Sequence, residues 1–308
     1  MQLEYQSQDD KNQSALSFSP DRGSNLFRLQ VDGQDYLYGL QESRGEQTLL
    51  GTPVLYPTPN RVRDATFTFD GRTYTFEPND GPNFIHGLVR DVSWTYEKPL
   101  VTDKGVSASA KIVFRPGKEI YRHFPIRNTL QVTYTLNPSG VRVDFAVHNK
   151  SHDSRLPFGL AIHPYFRIIG PRKSVRILSP AKKWMEAIDL LPTGRLLDLE
   201  QGPADLRTPT SLETLDLDDV FWGLEPDNPQ VIYYDEIGKK ITLKASELFT
   251  HSVIYTPPGA PFFCIENQSC STDAHNLYAQ GIKKAAHLAI LEPGESLNAW
   301  IEIEVSDQ

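Results

Sequence analysis

The sequence of 308 residues predicts a large antiparallel β-sandwich. Three observations carry that prediction. Apolar residues recur with period two, turn-forming pairs fall between the alternating runs, and segments of helical spacing are nearly absent. Phe27, Leu29 and Val31 alternate with polar residues, Asp32-Gly33 punctuates the run, and Tyr36 and Tyr38 resume it. Phe67 and Phe69 lead into Asp70-Gly71, with Tyr74 and Phe76 beyond. An Asp-Gly pair in this position is a hairpin signal, because a tight hairpin turn needs positive φ at both central residues. Leu130, Val132, Tyr134 and Leu136 form a further strand, Asn137-Pro-Ser-Gly140 a turn, and Val141, Val143, Phe145 and Val147 the return strand. A last strand runs through Leu297, Ala299, Ile301, Ile303 and Val305. Short helices are expected only over Ser211–Leu217 and Asp273–Ala286, neither with a clear apolar stripe.

Composition agrees with a folded chain that has a sizeable core. Apolar residues make up 39% and aromatics 10%, which excludes a disordered segment. The 20 Gly and 23 Pro are spread throughout, and no low-complexity tract marks a linker. One domain over residues 1–308 is therefore expected, without the 20–50-residue repeats of a propeller. Acidic residues outnumber basic ones by 39 to 31, a net charge of −8, which speaks against nucleic acid or an anionic membrane as partner. No apolar run approaches the roughly 20 residues of a membrane span. Met1–Asp10 lacks a basic-then-apolar leader, and the two cysteines are too few for a disulfide framework. A soluble, cytoplasmic protein is the expectation.

Chemistry-bearing residues cluster in a few short segments. In Pro157–Phe166, strand alternation sends Phe158, Leu160 and Ile162 to the core and Gly159, Ala161 and His163 to the other face. The two tiny residues are expected to leave space beside His163, and Pro164 to end the ladder. In Pro261–Ser271 the same alternation puts Phe263 and Ile265 inward and Cys264 and Glu266 together opposite them. A carboxylate among apolar neighbours is a candidate base, because partial desolvation raises its pKa towards its working pH. His86 before Gly87 predicts a turn with close backbone approach, and Arg90 can pair with Asp91. Asn60-Arg61 follows the rigid Pro57-Thr-Pro59, and Asp218-Asp-Val-Phe221 sets acids beside aromatics. The eight histidines show no metal-ligand spacing, and no phosphate-cradling glycine loop is present, so neither a metal nor another cofactor is expected.

Taken in order, Asn60-Arg61-Val62, His86-Gly-Leu-Val-Arg-Asp91, His163-Pro-Tyr-Phe166, Asp218-Asp-Val-Phe221 and Cys264-Ile-Glu-Asn-Gln268 resemble the aldose 1-epimerase (galactose mutarotase) family. The resemblance runs from about Gly51 to Gly294. It implies a β-supersandwich with a sugar site on an open concave face. By that resemblance Glu266 is the general base and His163 the general acid. Arg61 and His86 hold the sugar's oxygens with Asn60 in support, and Asp218 bonds hydroxyls, with Asp219 as the alternative one register away. The sequence departs from galactose-specific members at Pro164 and at Arg167-Ile168, so the resemblance implies the mechanism more firmly than the sugar.

The implied reaction interconverts the anomers of a free aldose, a small sugar substrate, by acid–base ring opening and closure. Tyr165 and Trp222 are candidates to face the sugar's C–H side, and both Cys264 and Glu266 are expected to border the site. Three other readings compete. A hexose-6-phosphate mutarotase would use Arg61, Arg90 or Arg167 for the phosphate, and a binding sandwich would carry no catalysis. A glycosidase would pair Glu266 with Asp218 at a carboxyl separation of roughly 5–5.5 or 6.5–9.5 Å. Oligomeric state is not legible in the sequence.

Overall fold

A computed structural model of the chain describes residues 1–6, 13–39, 50–102 and 105–308; part of Met1–Asp10 thus lies outside the described residues. The strands pair antiparallel, as the alternation predicts. A ten-stranded sheet takes its centre from Asn128–Asn137, Gly140–Asn149 and Ser296–Asp307. The C-terminal strand lies between Gly140–Asn149 and Lys239–Ala245, which ties the end of the chain into the sheet. An eight-stranded sheet runs in the order Leu191–Leu197, Lys183–Ile188, Asp218–Trp222, His251–Tyr255, Phe262–Gln268, Ala161–Ile162 and Val54–Leu55, with Tyr165–Arg167 also paired to Phe262–Gln268. A four-stranded sheet of residues 2–6, 13–19, 25–31 and 34–35 packs beside them. Its Phe18 ring meets Tyr134 of the large sheet at 4.9 Å.

The hairpins form where the turn chemistry demands. Asp32 and Gly33 have φ of 49° and 80°, Asp70 and Gly71 of 49° and 73°, so each pair supplies two left-handed residues. Asn137 pairs directly with Gly140 across Pro138-Ser139. Asn128–Asn137 then alternates strictly between buried and half-exposed residues. Its inward Leu130, Val132, Tyr134 and Leu136 join Val141, Val143, Phe145 and Val147 in the main core. The eight-stranded sheet contributes Ile162, Phe166, Phe221, Ile254, Phe263 and Ile265 to that same core. Each such side chain removed from water stabilises the fold by about 1.5–3 kcal/mol before chain entropy is set against it.

Helices are few, with one correction to the sequence reading. Ser211–Leu217 holds a single tight turn, Leu212–Thr214, begun by Ser211 Oγ accepting from Glu213 N at 3.2 Å. Asp273–Ala286 folds as Ala274–Ala279 and Lys283–Ala286. A third helix, Glu119–His123, was not expected; its only buried residue is Ile120, so no apolar stripe announces it. Among the described residues no helix is long and apolar enough to cross a membrane.

Candidate active site

Paired residues of an antiparallel ladder share a face. Phe262–Gln268 is the middle strand of the site, and the register therefore fixes what surrounds Glu266. Val253 lies opposite Glu266, Tyr255 opposite Cys264, and Asp218 opposite Tyr255 one strand further on. On the other side Tyr165 pairs with Cys264 and Ala161 with Gln268, which leaves His163 level with Glu266. Phe263 and Ile265 fill the core beneath, as strand alternation requires.

The segment 157–166 is less regular than expected. It forms three short strands, Leu156–Phe158, Ala161–Ile162 and Tyr165–Arg167, so Pro164 interrupts the ladder and does not end it. Gly159 leaves no space of its own: a Cβ there would collide with Cys270 Sγ and the Pro59 ring. Gly159 serves close approach, its N–H donating to Pro57 O at 2.6 Å. His163 is held by its backbone N–H to Pro53 O at 3.0 Å and by its ring, which stacks on Tyr165 at 4.6 Å and 5°.

The opposite wall comes from two loops. Asn60 adopts φ of 55°, and its Oδ1 accepts from Arg61 N at 2.8 Å, so it braces the arginine. Arg61 pairs with Ile85 in the short ladder of Arg61–Val62 with Phe84–Ile85. Arg61 Nε donates to Asp80 Oδ2 at 2.7 Å. His86, at φ of 69°, donates its N–H to Asn60 O at 3.0 Å, and a Cβ on Gly87 would strike Tyr56 O. The expected tight turn is therefore present, and it brings His86 edge-on to His163 at 5.1 Å.

Asn60, Arg61, His86, His163, Asp218 and Glu266, drawn from across the sequence, thus line one open cleft of about 180 Å³, together with Ile85, Tyr165, Val253 and Tyr255. At its floor His163 Nε2 lies 3.2 Å from Glu266 Oε1, with both side chains buried. Gln268 Nε2 donates to Glu266 Oε2 at 3.0 Å. Burial pushes the Glu266 carboxyl well above the usual carboxylate range, opposed by the Gln268 bond and reinforced by Asp218. Burial likewise brings His163 down to about 3 and His86 well below the ordinary imidazole value. A carboxylate beside an imidazolium and a carboxylic acid beside a neutral imidazole hold the same number of protons. The pair therefore carries one proton that can move while its total stays constant.

Several expectations need correction. Cys264 is fully buried under Leu50, Tyr165 and Phe262, so it does not border the cleft although it shares the face of Glu266. Trp222 does not line the cleft either; Lys284 Nζ sits 5.0 Å over its ring. Asp219 points to the other face and accepts from Trp184 Nε1 at 2.9 Å, which leaves Asp218 as the cleft aspartate. Arg90 pairs with Asp91 at 3.0 Å as expected. Arg167 packs over Tyr38 at 5.4 Å and donates to Leu37 O. Among the described residues no three His, Cys, Asp or Glu side chains gather as a metal site requires.

Sequence reasoning missed Tyr255, Val253, Ile85, Asp80 and Gln268. Period two would have found Gln268 from Glu266 and Tyr255 from Val253. Nothing local pairs Asp80 with Arg61, because the loop between them makes the contact.

The fold and the floor of the cleft define a class: an antiparallel β-sandwich protein whose open sheet face holds a buried imidazole–carboxyl pair. The family model for aldose 1-epimerase matches residues 8–304, and the chain belongs to that family. It is 29% identical over 187 residues to the galactose mutarotase of Bos taurus, covering 58% of this chain and 52% of that protein. It is 30% identical over 158 residues to that of Sus scrofa, covering 50% and 44%. The match thus spans about half the length of these relatives. In architecture it is similar to a galactose mutarotase-like protein from Clostridium acetobutylicum, with a TM-score of 0.85 over 100% of this chain and 99% of that one at 19% identity.

Proposed function

We propose that the protein is an aldose 1-epimerase that interconverts the α and β anomers of a free aldose, working as one unit over its length. The observation that carries this reading is the 3.2 Å contact between His163 Nε2 and Glu266 Oε1 on the cleft floor. A pyranose presents its two reacting oxygens, the C1 hydroxyl and the ring oxygen, on one carbon. Two proton-transfer groups in contact with each other match that spacing.

In the reacting arrangement Glu266 is a carboxylate and His163 an imidazolium. Glu266 takes the proton of the C1 hydroxyl as its oxygen forms the carbonyl, and His163 gives its proton to the ring oxygen as the C1–O bond breaks. The open aldehyde then faces a neutral acid and a neutral imidazole, the forms burial favours. Rotation about C1–C2 exposes the other carbonyl face, and closure returns both protons. Arg61 and His86 hold sugar oxygens, Asp218 accepts from hydroxyls at the mouth, and Tyr165 offers an apolar wall. No proton is gained or lost over the cycle, so the reaction calls for no cofactor. Positioned acid–base catalysis of this kind contributes on the order of 10²–10⁴-fold.

A neutral sugar is the better fit than a phosphorylated one. Of the three arginines considered for phosphate, only Arg61 lines the cleft, and its Nε is taken by Asp80. The test is polarimetry on freshly dissolved α-anomers, both free and 6-phosphorylated. Free aldoses should lose their initial rotation much faster than in buffer alone. Acceleration confined to 6-phosphates, or none at all, overturns the reading.

A further inference from the structure

Glu266 has two oxygens with different neighbours, and the difference has a structural origin. Oε1 faces His163 across 3.2 Å, while Oε2 accepts from Gln268 Nε2 at 3.0 Å. Gln268 stands two residues on from Glu266 in the same strand, so both project from one face. It is flanked in register by His251 on one side and Ala161 on the other. It is fully buried, and among the described residues its own Oε1 has no hydrogen-bond partner. A buried carbonyl without a partner is unfavourable, and an apolar side chain of similar length would avoid it. The amide's donor must offset that penalty.

We propose that Gln268 is a positioning residue: its carboxamide fixes one carboxylate oxygen of Glu266 so that the other is aimed at His163 and the bound sugar, and its N–H keeps the buried group able to ionise. A donor facing a carboxylate stabilises the charged form, the opposite of what burial does. Other groups bear on the same carboxyl from the surrounding elements. His163 lies in the break between the two short strands on one side, Asp218 two strands away on the other and Arg61 across the cleft, with Tyr255 and His86 completing the wall. Gln268 is the one that bonds Oε2 directly, and it does not line the cleft, so its loss leaves the sugar contacts in place.

The catalytic half of this proposal rests on the mutarotase reading, and the experiment separates the two. Gln268→Met keeps length and removes the donor. With wild-type protein as reference, kcat/KM should fall about tenfold on its plateau and its alkaline limb, where the shared proton leaves Glu266, should move up by about one unit, so that the two proteins converge at high pH, while KM changes less than about twofold. A purely structural role would lower the rate at every pH without moving the limb. Carboxyl ¹³C NMR, with the Glu266 signal identified by its absence in Glu266→Gln, should show the same upward shift whether or not the protein turns over sugars. An active protein with an unmoved limb and an unmoved carboxyl midpoint overturns the Gln268 proposal. An inactive wild type with a shifted midpoint overturns the mutarotase reading alone. Should Gln268→Met fail to fold, wild-type protein decides: the side-chain amide protons of Gln268 must titrate with the Glu266 carbon, and an amide indifferent to that midpoint overturns the proposal.

Discussion

Two halves of one sheet face meet at Val253, and they have opposite characters. One half carries Met185, Val220 and Val253, which pack against Ala285 with Leu196 and Ile282. The short helix Lys283–Ala286, with Ile282 before it, covers it, and His251 Nε2 donates to Ala285 O at 3.0 Å beneath. The other half carries Tyr165, His163, Glu266, Tyr255 and Asp218, and among the described residues no helix packs over it. The strands are continuous across the boundary: His251–Tyr255 places His251 under the helix and Tyr255 in the cleft. The site on this sheet thus lies beside the covered half, walled by the loops that carry Arg61 and His86. The same ladder supplies rigid, well-packed backbone to both halves, which is how a carboxyl and an imidazole can be held to a fixed separation.

The sharpest way to break the comparison is to remove chemistry from the open half. Glu266→Gln keeps the side chain's shape and deletes the base, so mutarotation of a fresh α-anomer should slow by about 10²-fold or more with folding intact. His163→Asn should lose a similar factor, and the double variant far less than the product, since acid and base act as a unit. Cys264→Ala, two residues from Glu266 but buried beneath Tyr165, should stay within a few-fold of wild type. Near-normal rates in Glu266→Gln, measured by initial decay of rotation, would contradict the assignment.

The covered half should respond in the other way. Met185→Ala empties space in a dry cluster, which destabilises by about 2 kcal/mol, the low end for such a truncation because the cluster sits towards the sheet's edge and can relax. Urea unfolding should show that loss while the rate per folded molecule is unchanged. An equal loss of activity would mean the two halves are coupled.

A smaller effect sharpens the same contrast through pH. Burial lowers His251 to about 3 and His275 to about 4, as it lowers His163 to about 3. In the unfolded chain these imidazoles titrate near 6.5, so below that pH the unfolded state binds more protons. Stability is therefore complete above about 6.5 and falls as pH drops towards 4 and 3, by at most about 1.4 kcal/mol per pH unit for each group. His251→Asn should flatten part of this dependence in urea midpoints taken between pH 7 and 4.5. An unchanged slope would show that His251 is not kept neutral by the helix above it.

What was legible in the sequence follows from the range of the interactions involved. Asp32-Gly33, Asp70-Gly71 and Asn137–Gly140 announced their hairpins because a left-handed turn is a property of two to four adjacent residues. Asn128–Asn137 announced itself because one face is core and the other solvent. Phe262–Gln268 is buried on both faces, so alternation could say that Cys264 and Glu266 share a side but not that a tyrosine covers one and a cleft exposes the other. The helix Glu119–His123 was silent for the converse reason, with almost nothing buried to set a period.

By itself, then, the sequence determined the strands, their turns and the inward-facing residues, and through an ordered set of short motifs it indicated which side chains matter. The tertiary structure alone decided that His163 and Glu266, more than a hundred positions apart, stand in contact, that Asp218 and not Asp219 faces the cleft, and that Gln268 and Asp80 hold their partners. The physical reason is that side-chain alternation is local, whereas strand order and register are settled by the core as a whole. A one-residue shift in the pairing of Asp218–Trp222 would exchange the two aspartates between core and cleft, and the packing of Phe221 and Ile254 against the main core opposes it.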